Sequence, residues 1–252
     1  GGCWMMKRAT LWLSSIAVAA LMAGANAQFW DETANGGGDA GDLPATAQVV
    51  SGDPNQALQR ITGSISTGGE VDMYAILITD PSQFYAHTGT TSETAFDSKL
   101  TLYDSNGRPL WFNDDSPVSS FDSRTIGSHR SFIGAGVAAG RYRSSDTPTT
   151  AASATWGLPG PGLYYLAISH WTRNPRNAAG QDLWWESSPY RPIYAPYAAR
   201  ANDPIAQWSG TSTTTGAYTI WLRGASFVPE PASMVALGAG LVGLLGLRRR
   251  KK

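Results

Sequence analysis

Between residues 28 and 228 no segment of this chain carries apolar residues at helical spacing. Short runs of β-branched and aromatic residues follow one another instead, each cut off by Gly, Pro, Asn or Asp. Seven such runs stand out: Ile61–Ile65, Val71–Ile78, Phe84–His87, Lys99–Asp104, Leu110–Asn113, Leu163–Ser169 and Ala217–Arg223. In Lys99–Asp104, Leu100 and Leu102 alternate with polar residues, so one face is apolar. Many short strands joined by turns predict an all-β sandwich. Residues 28–41, with the run Asn35-Gly36-Gly37-Gly38, offer little side chain to bury and read as a flexible lead; residues 42–227 read as the sandwich itself.

One hairpin can be specified in detail. Asp104-Ser105-Asn106-Gly107-Arg108 suits a three-residue loop, with Gly107 left-handed and Asp104 opposite Arg108. That register pairs Leu102 with Leu110 and Leu100 with Phe112, and it brings Asp97 opposite Asp115, with Asp114 beside them. Carboxylates this close repel, and a hard cation such as Ca²⁺, which takes several oxygen ligands, would relieve the repulsion. Asp97, Asn113, Asp114 and Asp115 are therefore the candidate metal ligands. The same residues at strand ends also suit turn capping, and they lack the spacing of an EF-hand.

The motifs Asp42-Leu43-Pro44, Ile61-Thr62-Gly63-Ser64-Ile65, Asp72-Met73-Tyr74, Phe96-Asp97-Ser98-Lys99-Leu100, Asn113-Asp114-Asp115 and Gly162-Leu163-Tyr164-Tyr165-Leu166-Ala167-Ile168 occur in this order. Together they resemble the bacterial pre-peptidase C-terminal domain across most of residues 42–170. That resemblance implies a jelly-roll-like antiparallel β-sandwich of a kind that accompanies secreted proteases or stands alone on surface proteins. The chain departs from the pattern by a long segment, residues 171–209, placed before the last strand.

The two ends read as addresses. Lys7 and Arg8, the apolar stretch Leu11–Ala23 and the small residues Ala25 and Ala27 have the layout of a signal helix cleaved by signal peptidase, so that the mature chain begins at Gln28. The residues before Met5 or Met6 read as lying upstream of the true start. At the other end Pro229-Glu230-Pro231 precedes an uncharged stretch from Ser233 to Leu247 and a basic cluster, Arg248, Arg249, Arg250, Lys251 and Lys252. The stretch is short for a transmembrane helix, which needs ~20 apolar residues, and the basic cluster should stay on the cytoplasmic side. Residues 228–252 resemble the PEP-CTERM sorting signal. That resemblance implies recognition by a membrane protease of the exosortase type, transient membrane association, and delivery to the cell surface or extracellular matrix.

Setting the ends aside changes the charge. The whole chain has nineteen basic and nineteen acidic residues; without Lys7, Arg8, the five terminal bases and Glu230, twelve basic and eighteen acidic side chains remain, a formal charge of −6. An acidic body has no electrostatic reason to bind nucleic acid. Cys3, the only cysteine, lies before the cleavage site, so the mature domain has no disulfide and depends on its core or a bound metal.

Trp171, Trp184, Trp185, Tyr190, Tyr194, Tyr197 and Trp208 crowd the 171–209 segment. Displayed, such rings stack on sugars; buried, they cover the edge of a sandwich. Trp184, Trp185, Tyr190 and Trp208 are the candidate ligand-binding residues for an envelope or matrix polysaccharide. Catalysis finds little support. His87, His129 and His170 have no zinc-like spacing, no Ser stands in a nucleophile elbow, and no carboxylate pair is identified as the acid and base of a glycoside hydrolase. The sequence thus predicts an exported, non-catalytic surface or matrix protein, with a carbohydrate-binding module as the alternative.

Overall fold

The computed structural model describes residues 28–153 and 156–230. The expected signal helix with Ala25 and Ala27, and the tail from Pro231 through Arg248, Arg249 and Arg250, lie outside the described residues. All seven predicted runs are strands, with bounds that move by one residue or less: Arg60–Ile65, Val71–Ile78, Tyr85–His87, Ser98–Asp104, Pro109–Asn113, Gly162–His170 and Gly216–Arg223.

The strands form two main sheets. One runs in the order Phe29–Asp31, Arg60–Ile65, Gly216–Arg223, Tyr85–His87, Phe132–Gly134. The other runs Tyr142–Ser144, Ile193–Ala195, Pro109–Asn113, Ser98–Asp104, Gly162–His170, Val71–Ile78, Ala225–Ser226, with Gln48–Val49 also on Val71–Ile78. Ile61, Tyr218, Ile220 and Leu222 of the first sheet meet Tyr74, Ile76, Leu100, Leu102, Leu166 and Ile168 of the second in one buried core, as a sandwich requires.

The pairing is not wholly antiparallel. Phe29–Asp31 on Arg60–Ile65, Gln48–Val49 on Val71–Ile78 and Tyr142–Ser144 on Ile193–Ala195 are parallel. Each joins segments separated by a long stretch of chain, as parallel neighbours must be. The first of them also corrects the flexible lead. Trp30 is buried, and its indole N–H donates to Gln48 Oε1 at 2.7 Å.

The hairpin loop has the expected form. Gly107 has φ +76°, its N–H donates to Asp104 O at 2.9 Å, and Asp104 N–H donates to Arg108 O at 2.9 Å. The register beyond it differs from expectation. A bulge at Leu110 pairs Tyr103 with Pro109, Leu102 with Trp111 and Leu100 with Asn113. The extra residue turns Trp111 into the core between the sheets and Phe112 to the opposite face. A strictly alternating register would have put Trp111 on the outer face in place of Phe112. Here that face needs apolar side chains, because residues 171–209 cover it.

That cover is a second core. Leu183, Trp184, Tyr194 and Ile205 pack on Val71, Met73, Tyr103, Phe112 and Ala167. Trp184 is fully buried at its centre, edge-on to Tyr103 with centroids 5.5 Å apart and 5.9 Å from Phe112. Replacing Trp184 by Ala should lower the unfolding free energy by ~3–5 kcal/mol. The same change at Trp171, which is 44% exposed, should stay within about 0.5 kcal/mol. Urea denaturation of both variants checks the contrast; equal losses would contradict the second core.

Candidate functional site

Asp97 lies just before the Ser98–Asp104 strand and Asp115 just after Pro109–Asn113, so strand pairing draws them together. A third residue joins them that sequence reasoning did not select. Oxygens of Asp97 and Asp115 and a ring nitrogen of His129 lie within 4.8 Å of one another. His129 Nδ1 is 3.5 Å from Asp97 Oδ2 and 3.7 Å from Asp115 Oδ1. His129 reaches this place through a left-handed backbone, φ +57°, with its carbonyl accepting the Ser98 N–H at 3.3 Å. Nothing in the spacing of the chain signals such a long-range approach. Asp115, Ser116, Gly127, Ser128, His129 and Arg191 line a shallow depression of about 210 Å³ beside the cluster.

Burial and then the Asp115 charge hold the Asp97 carboxyl up at about 6, while His129, Arg130 and Lys99 pull it the other way. Arg130 and Lys99 thus place positive charge near the cluster.

Two expected ligands are placed elsewhere. Asn113 is fully buried and spent on backbone. Its Nδ2 donates to Asp115 O (2.7 Å), Arg191 O (3.1 Å) and Pro192 O (2.9 Å), and its Oδ1 accepts the Phe132 N–H at 2.7 Å. With donors and acceptor committed, it is a clamp between three segments rather than a cation ligand. Asp114 does not join the converging group of Asp97, Asp115 and His129. It is buried, and burial pushes its carboxyl up to about 8, with Lys99 the strongest opposing charge. Strand alternation accounts for this, because Asp114 shares the outer face with Phe112.

Lys99 is itself buried there, 5.0 Å above the Phe112 ring. Its Nζ donates to Glu186 Oε2 at 2.6 Å and Asn174 Oδ1 at 2.7 Å, both from the covering segment. Burial raises the Glu186 carboxyl above its ordinary value, against the pull of Lys99.

The aromatic candidates separate by burial. Trp184 is core and presents no face to a sugar. Trp185 and Trp208 are half-buried, with indole N–H groups donating to Ser188 O at 3.3 Å and Asp42 O at 2.7 Å. Tyr190 remains displayed, at 41% exposure. Trp184, Trp185 and Trp208 thus serve mainly to seal the outer face of the sheet, where large aromatics bury the most area.

The sandwich runs directly into the tail. Phe227 is buried in the core, Val228 N–H donates to Val50 O at 2.8 Å, and Val228–Pro229 pairs in parallel with Ser51–Gly52. Glu230, the last described residue, is exposed. Comparison with known families matches residues 227–251 to the PEP-CTERM protein-sorting motif. The resemblance of residues 42–170 to the pre-peptidase C-terminal domain is not supported. No curated protein matches the chain. The motif marks a protein exported and sorted to the cell surface or exterior, and signals of this kind are processed by exosortase, a membrane protease.

The raised Asp97 carboxyl has a measurable consequence. Its folded value lies above that of an unfolded Asp, so the stability it contributes is full below about pH 4. It is lost as pH rises through about 6. Asp97→Asn should leave the thermal midpoint unchanged at pH 4 and raise it by about 2–4 °C at pH 8. Thermal scans at the two pH values test this; a variant less stable than the parent at pH 8 would contradict the stated repulsion.

Proposed function

We propose that the chain is an exported, non-catalytic structural protein of the cell surface or extracellular matrix, whose working part is the sandwich and whose tail is its address. The observation that carries this proposal is the sorting motif at 227–251, which begins at Phe227, the last core residue. The triplet Pro229-Glu230-Pro231 therefore begins at the last paired strand, with Pro229 opposite Gly52 and Glu230 exposed. Signal peptidase at the N-terminal end and an exosortase-type protease at the tail are the processing partners.

Two further features support the proposal. Of the polar residues first considered as metal ligands, Asn113 is committed to backbone contacts and Asp114 is buried outside the group that converges. The mature body is acidic and free of cysteine, which suits a soluble extracytoplasmic domain. The displayed Tyr190 keeps polysaccharide recognition as a second reading, with one exposed ring from the original set of four.

Removal of residues 230–252 leaves the described fold intact and deletes the address. In a host with an exosortase, the parent protein is expected at the surface or in the medium, shortened at its C-terminus. The truncated form is expected to stay in the envelope fraction behind it. Fractionation with intact-mass measurement reads both; identical surface delivery of the two forms would refute the sorting role.

A further inference from the structure

A second acidic cluster, two strands away at the same end of the larger sheet, differs in kind from the one around Asp97. Glu32 follows the edge strand Phe29–Asp31, Asp39 lies in the loop that follows it, and Asp72 sits on the Val71–Ile78 strand. One carboxylate oxygen from each lies within 4.8 Å of the others. Asp72 shares the inner face of its strand with Tyr74, Ile76 and Ile78, so alternation alone drives a carboxylate into the end of the sandwich. It is 0% exposed and Glu32 is 3% exposed, while Asp39 is exposed and opens the cluster to solvent.

The hydrogen bonds leave capacity unspent. Asp72 Oδ2 accepts the Tyr218 hydroxyl at 2.6 Å, and that hydroxyl is 2.5 Å from Tyr74 Oη. Asp72 Oδ1 is buried with no hydrogen-bond partner. Glu32 accepts the Ala40 N–H on Oε1 and the Ser64 N–H on Oε2, each at 3.0 Å, which holds its carboxylate in place with lone pairs to spare. Gly63 makes this convergence possible. It pairs with Tyr218, and a Cβ there would stand 2.3 Å from the Tyr218 hydroxyl and 2.7 Å from Glu32 Oε2.

The charges decide what the cluster needs. Around Asp97 the neighbours include His129, Arg130 and Lys99. The charges acting on Asp72 are Glu32, Glu70 and Asp39, all acidic. A buried carboxylate among carboxylates must be neutralised by protons or by a cation. Burial, then Glu32, pushes Asp72 up to about 9, and burial, then Glu70, pushes Asp39 up to about 6.

We propose that Glu32, Asp39 and Asp72 bind a calcium ion that fastens the N-terminal segment to the sandwich. The ligand atoms are all oxygens, which selects a hard cation over zinc or copper. Two oxygens on opposite sides of a calcium ion, each at about 2.4 Å, are about 4.8 Å apart, so the observed spread fits a single ion. The exposed side at Asp39 leaves room for the water ligands that calcium usually retains and tolerates in irregular geometry. This site is independent of the sorting role and would act on a domain without disulfides after export.

The test uses the full chain purified in mild detergent, at pH 7.5, with the metal alone as probe. Titration calorimetry with CaCl₂ and thermal scans in millimolar Ca²⁺ or EGTA are run on the parent and on Asp39→Asn, Asp72→Asn and Asp97→Asn. The parent and Asp97→Asn should bind calcium and gain several degrees in midpoint, whereas Asp39→Asn and Asp72→Asn should lose at least tenfold in affinity. Asp39 is exposed, so its variant keeps the test valid if Asp72→Asn does not fold. No binding by the parent at 5 mM Ca²⁺ overturns the proposal. A response that survives Asp39→Asn but is lost in Asp97→Asn also overturns it, by moving the site to the other cluster. Equal stabilisation by Mg²⁺ overturns the choice of calcium.

Discussion

The outer face of the eight-stranded sheet is apolar, and the architecture follows from the need to cover it. Val71, Met73, Tyr103, Phe112 and Ala167 point away from the core between the sheets. Left in water, each of the larger ones would forgo ~1.5–3 kcal/mol of burial. The 171–209 segment supplies Leu183, Trp184, Tyr194 and Ile205 to meet them. Once that face is buried, the polar groups on it must find partners. Lys99 takes Glu186 and Asn174, and the end of the adjacent strand is tied down by Asn113. A buried pair of this kind adds little net stability when intact, but removing one partner leaves a charge stranded, so these contacts specify where the segment docks.

The same need explains the bulge at Leu110. A regular hairpin puts Leu110 and Phe112 on the core side and leaves Trp111 outside. One extra residue lets two large aromatics serve two cores, Trp111 inside and Phe112 outside. The bulge also sends Asp114 to the outer face, away from the Asp97 and Asp115 pair that it neighbours in sequence.

Both acidic clusters show how local chemistry and tertiary placement divide the work. Asp97 and Asp115 flank one hairpin, so their meeting is legible from a turn and a count of residues. Lys99, two residues along the same hairpin, softens that meeting, and so do His129 and Arg130, which come from another segment. Glu32, Asp39 and Asp72 come from an edge strand, a loop and the inner face of a central strand. Their convergence depends on a parallel pairing across a long connection, and on a glycine that leaves space for two side chains.

From the sequence alone, the seven principal strands, the Gly107 loop and the sorting tail were already determined, because turn residues, alternation and a three-part terminal signal are encoded within a few neighbouring positions. The register past the Leu110 bulge was settled only by tertiary structure. So were the parallel edge strands and the burial of Trp184. The roles of Asn113 and Asp114, and the gathering of Glu32 with Asp39 and Asp72, belong with them. Each of these depends on which distant segment arrives on a given face. That choice is made by the summed burial and hydrogen bonding of the whole fold, which no local window of residues contains.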